Sequence, residues 1–179
     1  MPATLDLELY AGDRVEQVLT HCVPGSARII GDGNVVLVDG DATITAPDAG
    51  FVAGDVGKVI AGGGIPPGTT ISSVTSGTVA EMSAVATDST EAGTVFVGDA
   101  VNLTGRTFAA QIRDHASAAD TQVTFTIDQT TYLTTGQLVL TLTGAQTQGL
   151  RTGVWDLECT SDDQTYWAGD VIVTQDVTR

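Results

Sequence analysis

The stretch Gly153-Val154-Trp155-Asp156-Leu157-Glu158-Cys159-Thr160 sends Trp155, Leu157 and Cys159 to one side of an extended chain and Val154, Asp156 and Glu158 to the other. A period of two, with acidic residues on one face, marks a strand that covers a core on one side only. Neighbouring segments repeat the pattern. Residues 107–112 align Phe108, Ala110 and Ile112, and residues 121–127 align Val123, Phe125 and Ile127. Residues 137–143 align Leu138, Leu140 and Leu142, and residues 165–174 align Trp167, Gly169, Val171 and Val173. A slip of one residue would turn all of these side chains into water, so the alternation specifies register. Residues 144–150 leave room for one helical turn, and Ser161-Asp162-Asp163-Gln164 reads as a hairpin loop. Strands at such spacing with polar turns between them predict an all-β fold of the sandwich kind.

Toward the N-terminus, Leu5-Asp6-Leu7-Glu8-Leu9-Tyr10 alternates in the same way, Ala11-Gly12-Asp13 turns the chain, and residues 15–20 are extended. A further strand is expected over residues 34–39, bounded by the turn signals Gly31-Asp32-Gly33 and Gly40-Asp41. From 41 to 97 the texture changes to Ala, Gly, Thr, Ser and Val, with Phe51 and Phe96 the only aromatic residues. Short apolar pieces at 51–52, 56–61, 71–74, 79–85 and 94–97 are separated by turn chemistry, most obviously Gly62-Gly63-Gly64 and Pro66-Pro67-Gly68. A flexible linker would lack the apolar positions, so this segment reads as a small, tightly turned β module. The expected organisation is a sandwich built from 1–40 and 98–179, interrupted by an insert at 41–97. Insertion into a loop is compatible with folding because the two loop ends lie close together.

Composition narrows the function. The net charge is −15 and Lys58 is the single lysine. A nucleic-acid binder needs a basic footprint to displace counterions from phosphate, and an anionic membrane surface makes the same demand. Acidity spread along the chain instead keeps a strand-rich protein soluble and blunts its sheet edges. No apolar run approaches the roughly 20 residues of a membrane helix, and residues 1–20 hold no basic segment followed by an apolar run. The expectation is a soluble product made in a cytoplasm, with Cys22 and Cys159 as reduced thiols.

The run Asn102-Leu103-Thr104-Gly105-Arg106-Thr107-Phe108-Ala109-Ala110-Gln111-Ile112-Arg113 resembles a recurrent pattern of phage tail and baseplate proteins, in which it opens a strand of an immunoglobulin-like sandwich. The continuation through residues 137–144, 147–150 and 153–158, and the closing Gly169, Val171, Val173 and Asp176-Val177-Thr178-Arg179, is similar to the N-terminal attachment domain of siphophage upper-baseplate proteins and to domains of actinobacteriophage minor tail proteins. That family reaches Leu-Thr-Gly through a short loop, where here the insert intervenes. Within the insert, Asp55-Val56-Gly57-Lys58, Gly64-Ile65-Pro66-Pro67-Gly68-Thr69-Thr70-Ile71 and Ser83-Ala84-Val85-Ala86-Thr87 resemble a second module, frequent in tail fibres. The resemblance implies an immunoglobulin-like β-sandwich with an inserted small β module, acting as a non-enzymatic structural protein of the virion. It would be a minor tail or baseplate component docked on other virion proteins, as a trimer or ring, with no cofactor, present in the host cytoplasm during assembly. A capsid decoration protein of the same fold is a second reading. A receptor- or glycan-binding module is a third, and it predicts an exposed patch of aromatic residues and carboxylates on the insert, against a host surface glycan.

Each candidate for chemistry has a plainer structural explanation. Gly62-Gly63-Gly64 lacks the Gly-Lys-Ser/Thr ending of a phosphate loop. His21, Cys22, His115 and Cys159 would suffice for zinc, but the adjacent His21 and Cys22 point to opposite faces of a strand. No nucleophile elbow accompanies a Cys–His pair. Asp32, Asp39 and Asp41 among glycines suit turns better than calcium, and Asp162-Asp163 suits a solvated hairpin tip better than glycoside hydrolysis. Asn102-Leu103-Thr104 is a formal glycosylation sequon with no bearing in a phage setting. Trp155 and Trp167 are read as core. The surface for a neighbouring subunit is assigned to Leu7, Leu9, Tyr10, Tyr166 and Ile172, with strand edges at 6–10 and 165–174 free to extend a neighbour's sheet.

Overall fold

In the computed structural model, which describes residues 2–175, the chain forms two compact β units. The first holds residues 2–19, 104–130 and 138–175, and the second holds 20–103 with 131–137. The closing Asp176-Val177-Thr178-Arg179 of the phage-like pattern lies outside the described residues.

Strands β1 (Ala3–Thr4), β2 (Leu7–Tyr10) and β3 (Val15–Thr20) begin the first unit. The second unit follows as β4 (Arg28–Leu37), β5 (Thr43–Thr45), β6 (Val59–Gly62), β7 (Ile71–Ser76), β8 (Val79–Met82) and β9 (Thr90–Gly98). The chain then returns through β10 (Phe108–Arg113), β11 (Thr121–Thr124), β12 (Thr126–Asp128), β13 (Gln137–Leu142), the single turn α1 (Gly144–Thr147), β14 (Gly153–Cys159) and β15 (Gln164–Thr174).

The first unit is the sandwich. One sheet runs β11-β10-β14-β15, with β1 and β2 both pairing parallel to β15; the other runs β12-β13-β3. In immunoglobulin lettering, β3, β13 and β12 stand where B, E and D stand, and β10, β14 and β15 where C, F and G stand. The second unit therefore enters between strands B and C. The alternation that opened the sequence reading is realised directly: Trp155, Leu157 and Cys159 are buried, as are Phe108, Ala110, Ile112, Leu138, Leu140 and Leu142. The Trp155 indole N–H donates to the Leu5 carbonyl at 2.7 Å, tying the first strands to the core.

One expected strand is two. Residues 121–124 pair with β10 in the first sheet, and residues 126–128 pair with β13 in the second. The crossing is made at Phe125, whose ring is buried edge-on to Trp155 with centroids 6.1 Å apart. A period-two pattern runs unbroken through such a corner, because the buried side stays buried when the backbone changes partner.

The boundary expected at residue 40 falls near residue 20, and the one expected at 97 falls near 103. The cause is β4. It pairs along its length with β9, and its Ile30, Val35 and Leu37 belong to the same buried cluster as Ile44, Ile60, Ile71 and Val97. The Gly31-Asp32-Gly33 turn signal lies inside this strand. Ile30 pairs with Val95 and Val35 with Gly93, so the extra residues bulge out, with Gly31 at φ +56° and Gly33 at φ +73°. Glycine supplies that conformation at a bulge as readily as at a turn.

The second unit's sheet runs β6-β9-β4-β5-β8-β7, and its ends meet through an antiparallel bridge between Val59 and Thr70. Ile60 N–H to the Thr69 carbonyl (3.1 Å), Ile71 N–H to Lys58 (2.9 Å) and Gly57 N–H to Ile71 (2.8 Å) continue that seam. The sheet thus closes on itself around one apolar core, which removes its edges. The incoming and outgoing segments of this unit also pair, Cys22 opposite Ala100, with Val101 N–H donating to His21 at 2.9 Å.

Candidate functional site

Two of the three fibre-like pieces of the insert, residues 55–58 and 64–71, are the two sides of the seam. Asp55, only 1 % exposed, ends a short 3-10 turn and accepts from the Val52 N–H (3.0 Å), the Arg28 guanidinium (2.6 Å) and the Lys58 ammonium (3.1 Å). Burial alone would push its carboxyl up, but these three donors hold it below the ordinary carboxylate value. Across the seam, Pro66-Pro67-Gly68 turns the chain and the buried Thr69 hydroxyl returns a bond to the Pro66 carbonyl at 2.6 Å. Asp55, Lys58 and Thr69 are therefore spent on closing the barrel.

Five residues were expected to face a neighbour, and the structure divides them. Leu7 and Leu9 are core residues, 4 % and 5 % exposed, because β2 lies on β15 with these side chains inward. Tyr10 and Ile172 stand outward on the same face, 59 % and 49 % exposed. Tyr166 is half-buried, its ring edge-on to Phe108 at 5.8 Å and its hydroxyl held by Arg106, which also pairs with Asp162. Burial raises the Tyr166 phenol above its ordinary value. Tyr166 and Asp162 thus pin the β14–β15 hairpin, where Asp162 had been read as merely solvated. Tyr166→Phe is expected to destabilise the first unit by about 1 kcal/mol, the worth of a lost hydrogen bond, in a urea titration. The edge at 165–174 is likewise absent: β15 is flanked by β14 on one side and by β1 and β2 on the other.

The remaining candidates fall in different units. His21 and Cys22 belong to the second unit, His115 and Cys159 to the first. Among the described residues no group of three or more His, Cys, Asp or Glu side chains is placed to hold a metal. The Asp41 carboxylate is lowered by bonds from the Thr43 N–H and hydroxyl, both 2.9 Å, in an Asx-type turn. Both thiols are free, Cys159 fully buried and Cys22 half-buried. Desolvation, with Asp99 nearby, raises the Cys22 thiol. A disulfide-exchange reagent at pH 8 is expected to label Cys22 slowly in the native protein, and Cys159 only after denaturation, as two kinetic phases by absorbance.

What the sequence did not single out is a concavity of about 520 Å³ on the outer face of the β10-β14-β15 sheet. The register builds it. Gln111 pairs with Asp156 and Asp156 with Ala168; Arg113 pairs with Val154 and Val154 with Asp170. These outward residues therefore form two cross-strand rows. Arg113 stands on β10, Val154 and Asp156 on the central β14, and Ala168 and Asp170 on β15, so Asp156 is the diagonal neighbour of both Arg113 and Asp170. The Arg113 Nε is buried with no hydrogen-bond partner. Gln111 is fixed by the Thr121 hydroxyl at 2.8 Å.

Compared with protein-family models and with curated proteins, the chain finds no match.

Proposed function

We propose that this is a structural protein of a tailed-phage virion, a minor tail or baseplate component that docks through its sandwich and carries the inserted barrel as a second rigid unit. The observation that supports it most is how two of the phage-like pieces of the insert are used. Asp55-Val56-Gly57-Lys58 and Gly64 to Ile71 form the seam of a closed sheet, a structural use that fits a mechanical module of a virion protein. Antibody raised against the protein, gold-labelled and applied to purified particles, is expected to mark tails. Label on heads alone would favour capsid decoration. Particles free of label, from lysates that contain the protein, would end the virion reading.

A further inference from the structure

We infer that the concavity on the outer face of the β10-β14-β15 sheet is a docking site for a dipolar peptide segment of a neighbouring protein, its acidic or carbonyl-bearing end on Arg113 and its basic end between Asp156 and Asp170. The inference rests on the docking reading above and names its surface and the chemistry of its partner. A buried guanidinium N–H without an acceptor is costly to leave unmade, and its recovery by an incoming oxygen favours a bound state. Among the described residues, neither Arg113, Asp156 nor Asp170 takes part in an ion pair, although all three line one cavity. For Arg113 and Asp170 the register explains this: both pair with Val154, from opposite sides, so their strands are about 10 Å apart, twice the spacing of neighbouring strands. Asp156, on the strand between them, is offset from Arg113 by two residues.

The cavity thus offers a positive site on β10 and two negative ones on β14 and β15 around Val154, a pattern that a partner carrying both signs satisfies. Its local balance is negative, as is the chain's net charge of −15, which draws a basic segment toward it and repels a wholly acidic one. Ile172, two residues beyond Asp170 on the same face of β15, supplies apolar contact beside the charged floor. A volume of about 520 Å³ accommodates a few side chains and no more, so this is an anchor within a larger contact.

The test uses the full-length, nitrogen-15-labelled protein titrated with acetyl-Glu-Gly-Gly-Arg-amide, and separately with acetyl-Gln-Gly-Gly-Gln-amide, at low salt. The dipolar peptide is expected to shift the amide signals of Arg113, Val154, Asp156 and Asp170 saturably. The neutral peptide should bind at least tenfold more weakly. R113Q and D170N should each weaken the dipolar peptide at least fivefold while leaving the remaining spectrum in place. No saturable shift, equal binding of the two peptides, or undiminished binding by R113Q would overturn the proposal. Saturation of the same signals by a neutral oligosaccharide but by neither peptide would overturn it in favour of a glycan. Particle labelling reads the virion assignment independently: labelled tails with no peptide binding refute this site alone, and peptide binding with unlabelled particles refutes the virion reading alone.

Discussion

Asp55→Ala is expected to destabilise the second unit by about 2–3 kcal/mol, the loss of charge-assisted hydrogen bonds to a buried carboxylate whose cationic partners are themselves partly solvated. The carboxylate is almost wholly buried, and three donors converge on it: the Val52 N–H, Arg28 and Lys58. Lys58 stands at the seam, where its carbonyl accepts from the Ile71 N–H, while Arg28 opens β4, so the carboxylate ties the seam to the strand beside it and its loss loosens the seam. Hydrogen exchange should therefore show lost protection first at Ile60 and Ile71, whose amides cross the seam, while amides of the β13–β14 core in the other unit keep theirs. Asp55→Asn, which keeps the shape and removes the charge, is expected to lie between wild type and the alanine variant. The pH dependence has a definite sign. A carboxyl held below its unfolded value contributes stability that is fully present above about pH 4 and is lost as pH falls toward the folded value. Urea midpoints between pH 6 and pH 3 should fall for the wild type more steeply than for Asp55→Asn. Equal slopes would mean that the buried carboxylate is not the group responsible.

The parts of the fold that could be read in advance are those in which one side chain decides one thing. Trp155, Leu157 and Cys159 had to share a face because the strand period allows nothing else. The single turn at 144–147 followed from the available length. Two features resisted because the same residues serve two geometries. Gly31 and Gly33 supply positive φ, and positive φ ends a strand in a hairpin but only bulges it when both flanks pair with one neighbour, as here with β9. Phe125 looks like one more inward residue of a single strand, because the sheet switch preserves its burial. The surface was harder still. Leu7 and Leu9 read as surface until β2 is seen to pair with β15 with these side chains turned inward, and Arg113, Asp156 and Asp170 have nothing in common in sequence. Only the register of three strands places them around one hollow. Residue type and spacing carry the core; partner choice carries the surface, and partner choice is a long-range property.

Gly169→Ala should be the most damaging single methyl in the sandwich, with a loss of about 3 kcal/mol. Gly169 pairs with Trp155 and faces the carbonyl of Leu5; a Cβ built there would stand 2.0 Å from the Leu5 oxygen and 2.6 Å from its carbon. These are backbone atoms, so no rotamer change relieves the contact, and the chain before β2 must move. Overpacking of this kind costs about 1–3 kcal/mol. The displacement also pulls Leu5 from the Trp155 indole, a further loss of about 1 kcal/mol, and leaves a buried N–H without its acceptor. The thermal midpoint should drop by roughly 6–12 °C for a change of this size in a chain of this length. Trp155 fluorescence in the native state should change with it, since the indole N–H loses the Leu5 carbonyl while the ring stays in the core. Trp155→Phe provides the control: it removes the N–H and keeps most of the ring. If the clash acts through this bond, the double variant will be less destabilised than the sum of the two singles. Strict additivity would instead assign the whole effect of Gly169→Ala to the crowded backbone, with the Trp155–Leu5 bond contributing nothing.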